Sequence, residues 1–403
     1  MQNEWLRRFP LAIIVIAQLF GTSLWFSVNG VGLALQRDLG ISEAELGRLT
    51  LMVQAGFIAG TLTIAATGLA DRFRASHIFA FSCLVGALIN AGFILSAAAQ
   101  PMALLLRFLT GVCLAGIYPL GMKMVIGWTP RHTGAALAWL VGMLTLGTAL
   151  PHLLRGVTFT FGWQIPLLLA SGLALLGGAL VVFLGDGPHL PASSGRLHWR
   201  DGLAAFRKRD FRAVASGYFG HCWELYAFWM LVPFLVAREI QRLGLSTQSL
   251  SWLAFAIIAL GTIGCLYGGF LSKRIGSLKV ARRALACSGL TGLLYPLLGD
   301  APSLLLLGLL CLWGFSVIAD SPQFSALAAA TAPREQVGST LAIMNAIGFA
   351  LTIPAISITS TLWAAYELWV VWLLLPGPAL GLWALRSAFC SRDAAPAINR
   401  SAR

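Results

Sequence analysis

Residues Gly217–Ala237 read GYFGHCWELYAFWMLVPFLVA, with a single charged residue, Glu224, near the middle. A helix rises about 1.5 Å per residue and a bilayer's hydrocarbon core is about 30 Å thick, so such a run can cross a membrane. A charged side chain at that depth costs about 2.5–3.5 kcal/mol on insertion scales, so it faces a cavity or a partner rather than lipid. The stretch therefore implies a membrane protein in which Glu224 has company.

Composition agrees. The 403 residues are 58% hydrophobic and only 11% charged, with a mean hydropathy of +0.80. Soluble domains are about a quarter charged, which excludes that class. The net charge of +13 does not indicate a nucleic-acid partner, because the basic residues fall in short clusters between apolar runs. Six cysteines lie singly within apolar runs and Cys390 lies in the tail, with no metal or disulfide spacing. No cofactor is implied. The first apolar run, from Pro10 to Leu35, is too long for a signal-peptide core and is expected to be a retained span.

Apolar runs at 10–35, 46–68, 77–98, 102–128, 135–158, 164–185, 212–237, 248–271, 283–299, 302–326, 338–362 and 366–386 predict an all-α polytopic protein with twelve spans. One set of alternate connections, with both termini, carries 21 of the 28 basic residues. The other set carries Arg37, Arg48, Arg238 and Arg242. The positive-inside rule then puts both termini in the cytoplasm. Residues 186–211 form the widest connection, a Pro/Ser/Gly linker followed by alternating basic and apolar residues. That second half suits either an interfacial helix or a solvated basic loop. The expected units are 1–185, the loop 186–211, and 212–403.

The halves repeat. Pro130-Arg131 falls on Pro333-Arg334, and Pro151 on Pro354, at one offset of 203 residues. At an offset of 201, GLADRFR (Gly68–Arg74) falls on GFLSKRI (Gly269–Ile275). A duplicated six-plus-six arrangement is a common build of secondary transporters, with substrate bound near mid-membrane between the halves.

GLADRFR resembles the Gly-x-x-x-Asp-Arg loop of the major facilitator superfamily, and RFLTG (Arg107–Gly111) resembles its span-four Arg-x-x-x-Gly motif. The resemblance covers nearly the whole chain. It implies two pseudo-symmetric six-helix bundles rocking about a central cavity. Within the superfamily, LFGTSLWFSVNG, CWELYAFW and ADSPQFSAL resemble a bacterial branch grouped loosely with nitrate/nitrite porters. Those porters use arginines inside spans two and eight, and both spans lack interior basic residues here. The drug-antiporter Gly-Pro pair of span five is also missing, because Gly147 and Pro151 are separated.

By this reading Gly68, Asp71, Arg72 and Arg74 form a gating latch, in which Asp71 can cap a facing helix and Arg72 grip a carboxylate. Ser272 stands where the second copy would need Asp71. Glu224 and Asp320 lie near the centres of spans seven and ten, and with Arg107, the motif arginine, they are the expected proton-coupling set. The alternative for the acids is a structural hydrogen bond between helices, to which Asp320-Ser321-Pro322-Gln323 is suited. Lys123, Arg155 and His152 supply positive charge in the first half. Together with His221, Gln323 and the aromatics Trp25, Tyr118, Trp223 and Tyr226, they are the expected substrate contacts. Arg107 and Arg155 lie about 10 Å outward of their helix centres, and Lys123 about as far inward.

His221 and Glu224 have a spacing that can share a metal, but no second ligand pair or hydrolase motif accompanies them, so no enzyme and no metal are expected. The expected function is a proton-coupled transporter, a monomer in the bilayer, importing a small organic anion or zwitterion. The alternatives are export of an amphipathic compound, carriage of a neutral solute such as a sugar, or a non-transporting sensor.

Overall fold

The computed structural model describes residues 8–129, 133–189, 203–332 and 337–386, whose regular elements are all helices. Nine described helices are long and apolar enough to cross a membrane. The remaining spans escape a count by length for local reasons. Span one, Pro10–Thr22, stops at a turn over 23–26 and resumes as Ser27–Gly30 and Gly32–Leu39. Span nine, Ser277–Leu297, opens with Lys279, Arg282 and Arg283, which lower its mean hydropathy. Spans eleven and twelve run together because a 3-10 stretch, Glu367–Leu374, takes the place of a loop between Val337–Tyr366 and Pro376–Arg386. The expected twelve-span architecture stands.

Span two, Glu43–Thr67, starts at a capping box: Ser42 Oγ accepts from Glu45 N–H, and the Glu45 carboxylate accepts from Ser42 N–H at 2.9 Å. It ends at Gly68, whose φ of +64° suits a residue without Cβ. The latch loop then forms one turn, Leu69–Arg72. Span three, Ala75–Ser96, begins on the Asp186 carboxylate, which accepts from Ala75 and Ser76 N–H at 3.0 and 2.8 Å. A carboxylate at a helix N-terminus satisfies orphan donors and complements the helix dipole. Span seven, Arg209–Arg242, is longer than expected. Its far end is held by buried Glu239, which receives Arg238 and Arg242, both also donating to Gly299 O.

Spans one to six pack together, as do spans seven to twelve, and the halves meet chiefly where span two faces eleven and span five faces eight. The second seam carries side-chain bonds from Thr262 Oγ1 to Gly142 O (2.9 Å) and from Gln248 Nε2 to Gly156 O (3.0 Å).

The repeat extends further than the prolines first noticed. Pro130, Arg131, Pro333, Arg334 and most of the 186–211 loop lie outside the described residues, while Pro151 and Pro354 lie inside the helices of spans five and eleven. Ala205–Arg207, from the end of that loop, forms a single 3-10 turn beside Phe211. Span four breaks between Gln100–Ala115 and Tyr118–Trp128, and span ten between Ser303–Ser316 and Ser321–Thr331. Each second piece carries a proline in its first turn, Pro119 and Pro322, again 203 apart. Gly111 and Gly314 obey the same offset and do the same work. A Cβ on Gly111 would stand 2.1 Å from Val53 O, and one on Gly314 would stand 2.0 Å from Ile257 O. Small residues let helix backbones approach where lipid supplies no hydrophobic drive.

Gly111→Ala and Gly314→Ala are therefore expected to lower the thermal unfolding midpoint in detergent by several degrees, since overpacking costs about 1–3 kcal/mol. Gly308→Ala, where a Cβ meets nothing within 4 Å, should leave the midpoint in place.

Candidate functional site

A cavity of about 1040 Å³ lies between spans two, four and five on one side and eight, ten and eleven on the other. Its deep wall includes Phe57, Tyr118 and Phe349, and its polar groups include Gln323, Asn345, Lys123 and Lys273. It extends to Lys273 and Ser277, at the end of the molecule that bears the basic connections. Lys123 donates to Ala70 O of the latch loop, so its ammonium also lies near that end. No aspartate or glutamate is among the described lining residues. The cavity thus joins a cationic mouth to an apolar, aromatic depth.

At the other end an aromatic cluster closes the path. Trp25 and Phe26 of span one meet Tyr226 of span seven at ring distances of 5.7 and 6.4 Å. Phe26 meets Trp229 edge-on at 5.9 Å, and Trp25 meets Phe349 at 6.0 Å. All of these rings are buried. Trp25 and Tyr226, expected as substrate contacts, instead pack against each other across the two halves.

Trp25 and Phe26 reach that contact because span one unwinds there, which leaves carbonyls without helical partners. Arg107 supplies the donors. Its guanidinium donates to Trp25 O (2.6 Å), Leu24 O (3.4 Å), Ser27 Oγ (3.2 Å) and Asn90 Oδ1 (3.3 Å). Asn90 continues to Leu167 O and Ser171 Oγ. Arg107 is fully buried and does not line the cavity.

Glu224 is buried behind the cavity wall, where its carboxylate accepts from Trp313 Nε1 (2.7 Å) and Ser288 Oγ (2.9 Å). Asp320 stands at the break of span ten, with Oδ1 2.7 Å from Nδ1 of His221. That is ion-pair distance, without the alignment of a hydrogen bond. Pro322 and Gln323, which follow Asp320 directly, line the cavity.

Of the expected substrate contacts, Lys123, Tyr118 and Gln323 line the cavity. Trp25 and Tyr226 belong to the aromatic closure, and Trp223 donates to Leu373 O at 2.8 Å, which ties span seven to the 3-10 stretch. His221 lies behind the wall with Asp320. His152 is fully buried away from the lining. Arg155 donates to Phe161 O (2.9 Å) and lies over the Phe159 ring, also outside the cavity. Of the latch, Gly68 ends span two, Arg72 and Arg74 are exposed, and the Asp71 side chain lies outside the description. Sequence reading missed Lys273, Asn345, Phe57 and Phe349. Lys273 reads in the sequence only as one of the basic topology charges, and nothing there marks Asn345.

The Major Facilitator Superfamily model matches residues 11–385. The chain belongs to that superfamily. It is a transporter-family membrane protein and not an enzyme. Among solved structures it resembles a bacterial homologue of the human lysosomal transporter Spinster, in an inward-facing and unoccupied conformation. The TM-score is 0.71 at 15% identity, covering 95% of this chain and 98% of that one, so the likeness concerns the fold. No curated protein sequence matches closely enough to name a relative.

Arg107→Lys is expected to lower the unfolding midpoint, because an ammonium lacks the planar fork that serves several oxygens at once. Each buried carbonyl left without a donor costs about 1–3 kcal/mol. Thermal unfolding of the purified variant measures this.

Proposed function

We propose that this superfamily member carries an organic anion with an apolar body across a bacterial inner membrane, coupled to H⁺. The positive-inside rule makes the basic end cytoplasmic, so the cavity opens inward. The observation that carries the reading is the cavity wall: Lys123 and Lys273 at the mouth, aromatics in the depth, and no described acid. Lysines suit the anionic group, and the apolar depth suits the body of the molecule.

Asp320 is the proposed proton carrier, with His221 as its partner. The internal repeat supports this. At the offset of 203, Ile117 takes the place of Asp320 and Gln18 that of His221. The first half builds the same proline-marked break without an acid, so the break itself does not require one. The acid–base pair is an addition beside a cavity residue, where a change of protonation alters the contact between spans seven and ten. Glu224, held by Trp313 and Ser288 within one half, is assigned a supporting role in the same proton pathway, one helical turn from His221.

Export of an amphipathic anion is the second reading, favoured by the large, mostly apolar wall. Vesicles of opposite sidedness separate the two directions.

A thermal-shift screen of carboxylates on purified protein identifies a ligand, because binding to the folded state stabilises it. Lys123→Ala and Lys273→Ala should each weaken that ligand about ten- to a hundredfold, as the loss of a charge-assisted bond of about 1.5–3 kcal/mol implies. Unchanged affinity in both removes the anion assignment. In reconstituted vesicles, Asp320→Asn should abolish uptake driven by an imposed pH gradient while preserving counterflow exchange. Equal gradient-driven uptake by variant and wild type would discard Asp320 as the carrier.

A further inference from the structure

Arg155 has no place in the transport cavity, yet it is a buried cation, only 7% exposed. Its neighbours are the Phe161 carbonyl at 2.9 Å and the Phe159 ring at 5.1 Å, and among the described residues it makes no salt bridge. A buried charge normally has an ionic partner. Arg155 instead lines a second, small pocket of about 150 Å³ on the far side of the aromatic cluster from the transport cavity.

That pocket has three sources of positive potential. Arg155 comes from span five. Arg37, from the end of span one, lies at the rim, largely exposed and paired with Asp38 at 2.7 Å. Thr247, Leu250 and Ser251 lie within the first five residues of span eight, Thr247–Ile275, whose N-terminus carries the positive end of a helix dipole. No acidic residue is among the described lining residues, and Asp38, which acts on both Arg37 and Arg155, sets one carboxylate against two guanidinium charges. The walls come from both halves: spans one, two and five on one side, and Pro233 and Phe234 of span seven with span eight on the other. Beside the pocket, Gln248 bonds Gly156 O and the Trp252 ring lies against Gly156, so the halves touch there.

We propose that this outer pocket binds one small oxyanion, of acetate or phosphate size, which clamps the outer ends of the two halves together. Such an anion bridges Arg155 in the first half to the span-eight N-terminus in the second, so it binds only while the outer side is shut. The site is distinct from the transport cavity, and its occupancy biases the chain toward the inward-open state.

The probe is acetate, compared with the bulkier gluconate at equal ionic strength, on the purified full chain in detergent. Acetate should raise the unfolding midpoint saturably and gluconate should not. Arg155→Gln should abolish the acetate effect. Thr247→Glu, at an exposed first helical position where a carboxylate is well tolerated, should abolish it as well by placing an internal anion at the rim. If Arg155→Gln does not fold, Thr247→Glu decides. Lys123→Ala should keep the effect. Loss in Lys123→Ala with retention in both outer variants puts the anion in the transport cavity and overturns the outer site, while leaving the transport reading intact. No saturable rise, or an equal rise in every variant, also overturns it. For the clamp itself, Gln248→Cys in vesicles should react several-fold more slowly with an impermeant maleimide when acetate is present. An unchanged rate rejects the clamp.

Discussion

Inside a bilayer no water is available to satisfy backbone polar groups, so a helix can unwind only where protein supplies the missing partners. Span one meets that condition through Arg107, which serves the carbonyls of Leu24 and Trp25 and reaches Ser27 and Asn90. The unwound turn brings Trp25 and Phe26 against Tyr226, Trp229 and Phe349 of the opposite half. The aromatic closure, and with it the separation of a large inner cavity from a small outer pocket, follows from that one arrangement. A cation in a membrane interior is expensive, and here its cost is offset by hydrogen bonds to the oxygens of the unwound turn and Asn90, which hold a bend that an unbroken helix would not make.

The two halves share a scaffold but bury different charges. Each has a broken helix with a proline in the first turn of its second piece, and each uses a glycine to bring that helix onto its neighbour. At a comparable three-helix junction the first half buries Arg107 and the second Glu224, both surrounded by neutral hydrogen-bonding groups. A buried charge with neutral partners is costly to disturb, which makes these two residues fixed points of their bundles. His221 and Asp320 differ, since their partners are each other, on separate helices, next to a cavity wall. That pair joins two helices directly behind cavity-lining residues, whereas Arg107 and Glu224 are fixed inside their bundles.

Much of this was legible in the sequence. Span length and hydropathy gave the twelve spans, the motifs gave the superfamily, and a constant offset gave the repeat. The offset held more than was first taken from it, since it also relates Pro119 to Pro322, Gly111 to Gly314, and Gln18 to His221. What misled was depth. Lys123, Arg155 and His152 all lie at intramembrane heights, but height along a helix does not decide whether a side chain faces the transport cavity. Only Lys123 among them lines it.

The amino-acid sequence alone determined that the chain spans a membrane twelve times, in two related halves, with its basic connections on one side. Those properties depend on transfer free energy and chain order, which are local and additive. Only the tertiary structure decided that Arg107 and Glu224 face packed helices, that Lys273 and Asn345 face the cavity, and that Arg155 faces a different pocket. Facing depends on the rotation of each helix about its axis, and neighbouring helices set that rotation through contacts separated by up to two hundred residues.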